Sequence, residues 1–405
     1  MTAVSFEEKA DVYLINTCSV TNMADKKSRQ MIHRAKKLNP DAVVIAAGCY
    51  VQAAKDKLME DDRISIIIGN NKKKDIVQIL EDYLEIGVTD EGMLDIAAEK
   101  EYEPLTINST LEHTRAYVKI QDGCNQFCSY CIIPYVRGRI RSRELASITE
   151  EVERLAQTGV KEIVLTGIHI SSYGKDKENE VGLADVIDAI SKIESIERIR
   201  LGSLEPGIIT DTFIDRIVDN KKVCPHFHLS LQSGCNTVLK RMNRKYTCEE
   251  YFEKCEMLRK AFDRPALTTD VIVGFPGETD EEFQETVDYL TKLNLYEMHI
   301  FKFSPRQGTV AAGMRDQIGP EIKNQRSDVL LALSEKNKHA YEASFRGETL
   351  EVLIEEKVRR NGKDGYRGHT ERYIDIFVEE ECMHRICGRE VDIINHIVQI
   401  PYGME

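Results

Sequence analysis

Residues 115–134 read RAYVKIQDGCNQFCSYCIIP. The opening RAYVKI alternates polar and apolar residues as a β-strand does, and it runs directly into Cys124, Cys128 and Cys131. With 11 cysteines in 405 residues, chance gives roughly 0.01 triplets of this spacing, so accident is a poor explanation. Zinc is the plain alternative. A closed structural zinc site takes four protein ligands, however, and no fourth stands close in sequence. Three thiolates on one loop suit a 4Fe-4S cluster that leaves one iron open to a small molecule, and an open coordination position is a catalytic feature.

Five more strand candidates lie downstream: EIVLTG (162–167), RIRLGSL (198–204), HFHLSL (226–231), TTDVIV (268–273) and YEMHIFKF (296–303). Helical stretches such as ASITEEVERLAQTG (146–159) and DEEFQETVDYLTKLN (280–294) separate most of them. Six β/α repeats predict a partial (β/α)6 barrel over residues 114–345, with its chemistry at the carboxyl ends of the strands. A long polar helix is expected around 319–345. Residues 346–405 then turn to strand patterns, TLEVLIEEKV (349–358), RYIDIFVEE (372–380) and EVDIINHIVQI (390–400). These predict a small all-β barrel, an appendage that often binds nucleic acid.

Upstream, residues 1–86 alternate strand and helix signals: DVYLINT (11–17), a helix over 23–39 closed by Asn39-Pro40, AVVIAA (42–47), a helix over 51–60, ISIIIGN (64–70) and a helix over 73–87. This order predicts an α/β domain with a doubly wound parallel sheet. Residues 87–113 are acidic, carry Pro104 and show no clean period, which reads as a linker. Cys18 ends the first strand and Cys49 the second. In a parallel sheet with right-handed crossovers both thiols emerge at the same carboxyl edge, where ligands bind, and so read better as ligands of one cluster than as core residues.

Composition bounds the class. The chain is 42% hydrophobic and 30% charged, as in an ordinary soluble globular protein, and no apolar run nears the ~20 residues of a membrane span. The opening MTAVSFEEKA lacks the basic start and apolar stretch of a secretory leader, so a cytoplasmic location is expected, where clustered cysteines stay reduced. A net charge of -13 argues against a generally basic nucleic-acid binder but leaves room for a local basic patch. The candidates are RGRIRSR, with Arg137, Arg139, Arg141 and Arg143, and KVRRNGKDGYRGHTER at 357–372. Charge runs are as often simple solvated faces.

CNQFCSYC resembles the CxxxCxxC signature of the radical S-adenosylmethionine (SAM) enzymes. The likeness extends to GCNQFCSYCIIPYVRGRIRSR, LTGIHISSYG, GSLEP, LSLQSGCNTVLKRMNRKY, DVIVGFPGET and FKFSPRQGTVA, which resemble the successive strand-end motifs of the methylthiotransferases. The spelling is most similar to the branch acting on threonylcarbamoyl-adenosine in tRNA, and the C-terminal segment resembles the RNA-binding TRAM domain. The resemblance implies that Cys124, Cys128 and Cys131 hold a SAM-binding 4Fe-4S cluster, that Tyr130 contacts the SAM adenine, and that Glu205 and Arg241 handle its ribose and carboxylate. Read from the residues alone, Tyr130 can equally pack in the barrel, and Glu205 and Arg241 can be surface charges.

NTCSVTNMADKKSRQ (16–30) and AAGCYVQ (46–52) match two of the three cysteine motifs of a second, sulfur-bearing 4Fe-4S cluster, with Cys18 and Cys49 as ligands. The family's first motif, a glycine-cysteine on an additional strand-helix unit of about 30 residues, is expected to be missing from residues 1–405. By resemblance, one SAM methylates a sulfur of the second cluster. Another is cleaved to a radical that activates carbon 2 of the adenine next to the anticodon for methylthio insertion. The expected partners are tRNA, an external electron donor and a sulfur source, with no membrane and a monomeric state. Isopentenyl-adenosine in tRNA or a ribosomal protein as substrate, or a catalytically impaired tRNA-binding form, are the alternatives.

Overall fold

The computed structural model describes residues 2–19, 22–87, 93–105, 114–178, 181–388 and 392–403. Of the linker expected at 87–113, segments 88–92 and 106–113 lie outside the described residues, as do the first two residues of the strand expected at 390–400. The chain divides into two compact units. The first takes residues 1–105, 122–141 and 304–314, and the second takes 106–121, 142–303 and 315–405.

In the first unit, β1 (Val12–Thr17), β2 (Val43–Gly48) and β3 (Ile66–Ile68) form a parallel sheet in that order. Strand β2 is buried on both faces, as its apolar run VVIAAG requires. The helix Asn22–Leu38 follows β1, and the core gathers Tyr13, Ile15, Ile32, Val44, Ala46 and Val51. The single helix expected over 51–60 is instead two short helices, Cys49–Ala53 and Lys55–Met59, broken at Ala54. The first of them begins on Cys49 itself, directly at the strand end.

The second unit contains β4 (Arg115–Asp122, its last residue in the first unit), β5 (Arg141–Ser142, its first residue in the first unit), β6 (Glu162–Gly167), β7 (Arg198–Leu201), β8 (His226–His228), β9 (Ala266–Val273) and β10 (Glu297–Lys302). They pair in the orders 5-4-6-7 and 10-9-8, and parallel bridges Ile199↔Val223 and Leu204↔Leu229 join the two sheets. Six of these strands, β4 and β6 to β10, are the six read from the sequence, and the (β/α)6 expectation holds. Alternate residues Val118, Ile120, Ile163, Leu165, Ile199 and Phe227 pack into one apolar core with the surrounding helices. By the two-residue period of a strand, Arg115, Glu162, Arg198, Arg200, His228 and Asp270 share the opposite face. Helices Cys248–Ala261 and Asp280–Leu293 start on capping boxes, Thr247 with Glu250 and Thr279 with Glu282.

The helix Pro320–Ala343 leads into β11 (Thr349–Arg360), β12 (Lys363–Thr370), β13 (Asp375–Glu379) and β14 (Ile397–Pro401), an antiparallel sheet in the order 13-12-11-14. A bulge between Ile354 and Glu356 helps it curl. Among the described residues no helix is long and apolar enough to cross a membrane.

Candidate metal centre

At the carboxyl end of β4 the chain turns through Gly123, whose φ of 72° suits glycine. A Cβ there would lie 1.7 Å from the Arg139 carbonyl oxygen. Cys124 follows, its N–H donating to the Gly138 carbonyl at 3.0 Å. The Gln126 N–H donates to Cys124 Sγ at 3.4 Å, a contact that favours a thiolate and tunes a cluster bound to it. Phe127 takes a left-handed φ of 50°, and its ring is held between Tyr135 and the Arg139 guanidinium, at 5.7 and 4.6 Å. The Cys131 N–H closes the turn onto the Cys128 carbonyl at 3.0 Å. Cys124 is buried, while Cys128, Tyr130 and Cys131 are half-buried. Among the described residues no three Cys, His, Asp or Glu side chains converge on a single metal ion. The fit of a cluster rests on the donor set: three thiols on one fixed loop, with a backbone N–H aimed at a sulfur.

Cys18 and Cys49 stand at the edge of the first unit's sheet. Strands β1 and β2 pair Thr17 with Gly48, so the two cysteines are the next residue on each of two adjacent parallel strands. Cys18 is exposed and Cys49 buried. Arg306 reaches this edge from segment 304–314, donating to Ser19 Oγ at 2.9 Å and Asp25 Oδ2 at 2.7 Å. Arg306→Ala removes the cation that these contacts bring to a mostly buried carboxylate. It should cost about 1–3 kcal/mol of stability. An unchanged melting temperature would refute that role.

Of the four arginines expected to contact RNA from RGRIRSR, Arg141 and Arg143 are 1% and 2% exposed. Arg143 pairs with Glu151 in the second unit, and Arg137 donates from Nε to Cys49 Sγ at 3.0 Å. The expectation of an RNA-facing run is therefore corrected: the run winds through the interior, where each charge needs a buried partner, and only Arg139 is exposed. Over 357–372, Lys357, Arg359, Arg360 and Lys363 are exposed and Arg367 and Arg372 half-buried, and cations lie against acids, as in Arg359 with Asp364, Lys363 with Glu379 and Arg367 with Asp375.

In the second unit Glu205 follows β7, with His169 Nε2 at 3.2 Å and Arg244 Nη2 at 3.9 Å from its carboxylate. Burial pushes this carboxyl up, but His169 and Arg244 outweigh it and hold it below its usual range. The His169 N–H donates to Gln121 Oε1 at 2.8 Å, so residues from the ends of β4, β6 and β7 and the segment after β8 meet here. Arg241 forks onto Glu282 at 2.8 and 2.6 Å. His169 and Arg244 were missed in the sequence, although both sit inside motifs it offered, LTGIHISSYG and KRMNRKY. Cys224, Cys248 and Cys255 are buried here, and burial pushes each thiol up to about 12, the state of inert core cysteines.

Comparison with known proteins agrees with this anatomy. Residues 118–290 match the model of the Radical SAM superfamily, and residues 1–69 match that of Uncharacterized protein family UPF0004. The chain is 41% identical over 398 residues to "Threonylcarbamoyladenosine tRNA methylthiotransferase MtaB" of Bacillus subtilis (strain 168), covering 98% of this chain and 86% of the relative. It is 37% identical over 398 residues to "tRNA-2-methylthio-N(6)-dimethylallyladenosine synthase" of Thermoanaerobacter pseudethanolicus, covering 95% and 83%. Among solved structures, the radical SAM methyltransferase TsrM from Kitasatospora setae shares the fold, with a TM-score of 0.58 at 16% identity over 76% of this chain and 66% of that one. With its three-cysteine loop on a β/α barrel and this near full-length similarity, the chain belongs to the radical SAM tRNA methylthiotransferase family.

Proposed function

We propose that this chain methylthiolates carbon 2 of threonylcarbamoyl-adenosine next to the anticodon of tRNA, with SAM as methyl donor and radical source. The observation that carries the substrate is the 41% identity, over 98% of the chain, to a relative named for that nucleoside. When bound, the 4Fe-4S cluster at Cys124, Cys128 and Cys131 would supply the electron that cleaves SAM, while Cys18 and Cys49 are two thiols toward the sulfur-bearing cluster of the family. The chain's own residues bind and orient. Glu205, held anionic, offers an acceptor for SAM hydroxyls. Tyr130 offers a ring for the adenine, and Arg241, whose guanidinium is forked onto Glu282, offers its charge to the carboxylate. The reaction draws on an external electron donor and a sulfur source, in the cytoplasm where tRNA is found.

The test is anaerobic turnover of the reconstituted chain on two tRNAs, one carrying threonylcarbamoyl-adenosine and one dimethylallyl-adenosine, read by nucleoside mass spectrometry. The methylthio product is expected on the first. Product on the second alone would overturn this reading in favour of the dimethylallyl branch.

A further inference from the structure

Strand β10 divides its side chains between two environments. Met298 and Ile300 turn to the apolar core, and by the two-residue period of a strand His299 and Phe301 fall on the opposite, inner face of the barrel, where His228 and Asp270 stand. His299 pairs in register with Asp270 of β9, and its ring stacks on that of His228 from β8, with 5.6 Å between centroids and 22° between planes. Three adjacent strands thus bring an imidazole, a carboxylate and a second imidazole together. His228 is fixed in place: its Nδ1 lies 3.0 Å from Thr268 Oγ1, and its buried Nε2 lies 3.3 Å from Asp270 Oδ2 without forming a hydrogen bond. His299 and Phe301 are exposed, Phe301 to 49%. Packing accounts for the buried His228, but not for an imidazole and a phenyl ring bared along one strand on the inner face of a barrel. An open aromatic ring with a hydrogen-bonding group beside it suits a nucleobase that carries a polar substituent. The position also suits the reaction: Arg244, 3.9 Å from Glu205, donates to the carbonyl of Ser230, close after His228 on the same segment.

We propose that His299 determines which modified adenine this chain accepts: its imidazole N–H donates to an oxygen of the threonylcarbamoyl group, while the Phe301 ring carries the base. The inference rests on the proposed substrate and names the residue that reads it. The threonylcarbamoyl group has oxygens to accept from His299, and N–H and O–H groups to donate to the neighbouring Asp270 carboxylate. A dimethylallyl group has neither. A site built to hydrogen-bond a substituent discriminates strongly against an analogue without it, because its polar groups are then left unpaired.

The test measures tRNA binding by the full chain, wild type and His299→Phe, which keeps a ring and loses the donor. One tRNA sequence is used with adenosine, threonylcarbamoyl-adenosine or dimethylallyl-adenosine at the target position. Wild type should bind the threonylcarbamoyl tRNA about 10- to 100-fold more tightly than the unmodified one, the worth of one hydrogen bond to a charged group. His299→Phe should lose most of that preference while its melting temperature and its affinity for the unmodified tRNA stay at wild-type values. A merely structural role would weaken binding of all three tRNAs together, and that outcome would overturn the inference. Full preference in His299→Phe would overturn it and leave the substrate reading standing, and so would a wild type that binds the unmodified and threonylcarbamoyl tRNAs alike. A wild type that prefers the dimethylallyl tRNA would overturn the substrate reading and this inference with it.

Discussion

Alanine at Gly123 is expected to abolish SAM cleavage, with loss of about four irons per chain. At φ 72° an L side chain costs about 1–2 kcal/mol, which alone the fold would survive. The contacts are what make the change severe. The new Cβ would stand 1.7 Å from the Arg139 oxygen, 2.5 Å from the Arg139 carbonyl carbon and 2.8 Å from the Gly138 oxygen, all backbone atoms that cannot swing away. Either β4 or the segment at Gly138 must shift, and the bond from the Cys124 N–H to the Gly138 carbonyl is the first to go. Misplacing a reactive group by about 1 Å costs roughly 100-fold in rate, and here the misplaced group is a cluster ligand. Gly313→Ala is the control: it has no left-handed φ and nothing within 4 Å of its Cβ. The check is iron content and 5′-deoxyadenosine formation for both variants. A Gly123→Ala chain with full iron and normal SAM cleavage would show that the loop does not depend on this close approach.

The sequence made the strands legible wherever one face is apolar. RAYVKI, EIVLTG and RIRLGSL alternate core residues with polar ones and became β4, β6 and β7. Strand β12 escaped because KDGYRGHT carries glycines and charges where a strand signal needs side chains. Gly368 is small for a reason visible only in three dimensions: a Cβ there would lie 2.1 Å from the Leu353 oxygen of the neighbouring strand. The cysteines were legible from spacing, and the shared edge of Cys18 and Cys49 from strand order. Their surroundings were not. Asn70 and Arg137 reach Cys49 across 21 and 88 residues, and no local pattern reports such pairings. The misreading of RGRIRSR has the same root. A run of arginines looks alike in sequence whether it meets water or buried carboxylates, and the partners that decide between them lie elsewhere in the chain.

Glutamine at Glu162 should be the most destabilising single change in the second unit. The Glu162 side chain is 2% exposed and meets three guanidinium groups: Arg200 at 2.7 Å, Arg198 at 3.9 Å and Arg115 at 4.0 Å. Burial pushes this carboxyl up, but Arg200, Arg198 and Arg115 outweigh it and hold its pKa below the usual range. Those arginines also carry the C-terminal sheet. Arg198 donates to the carbonyls of His369 and Glu351 at 3.0 and 2.9 Å, and Arg200 to those of Glu371 and Thr370 at 2.8 and 3.2 Å. Arg115 and Arg200 also sit 5.0 and 4.9 Å from the Tyr373 ring. Glutamine keeps the shape but removes the anion, leaving buried cations undercompensated at a cost of about 3–5 kcal/mol. For a unit of this size that is a fall in melting temperature of roughly 10 °C. The sign with pH follows from the lowered pKa: this contribution is complete above the ordinary glutamate pKa near ~4.3 and is lost as pH falls through the folded-state value. The wild-type and Glu162→Gln melting curves should therefore differ fully at neutral pH and converge only in acid. Equal melting temperatures at neutral pH would mean that packing of the two sheets, and not this charge cluster, fixes the C-terminal sheet to the barrel.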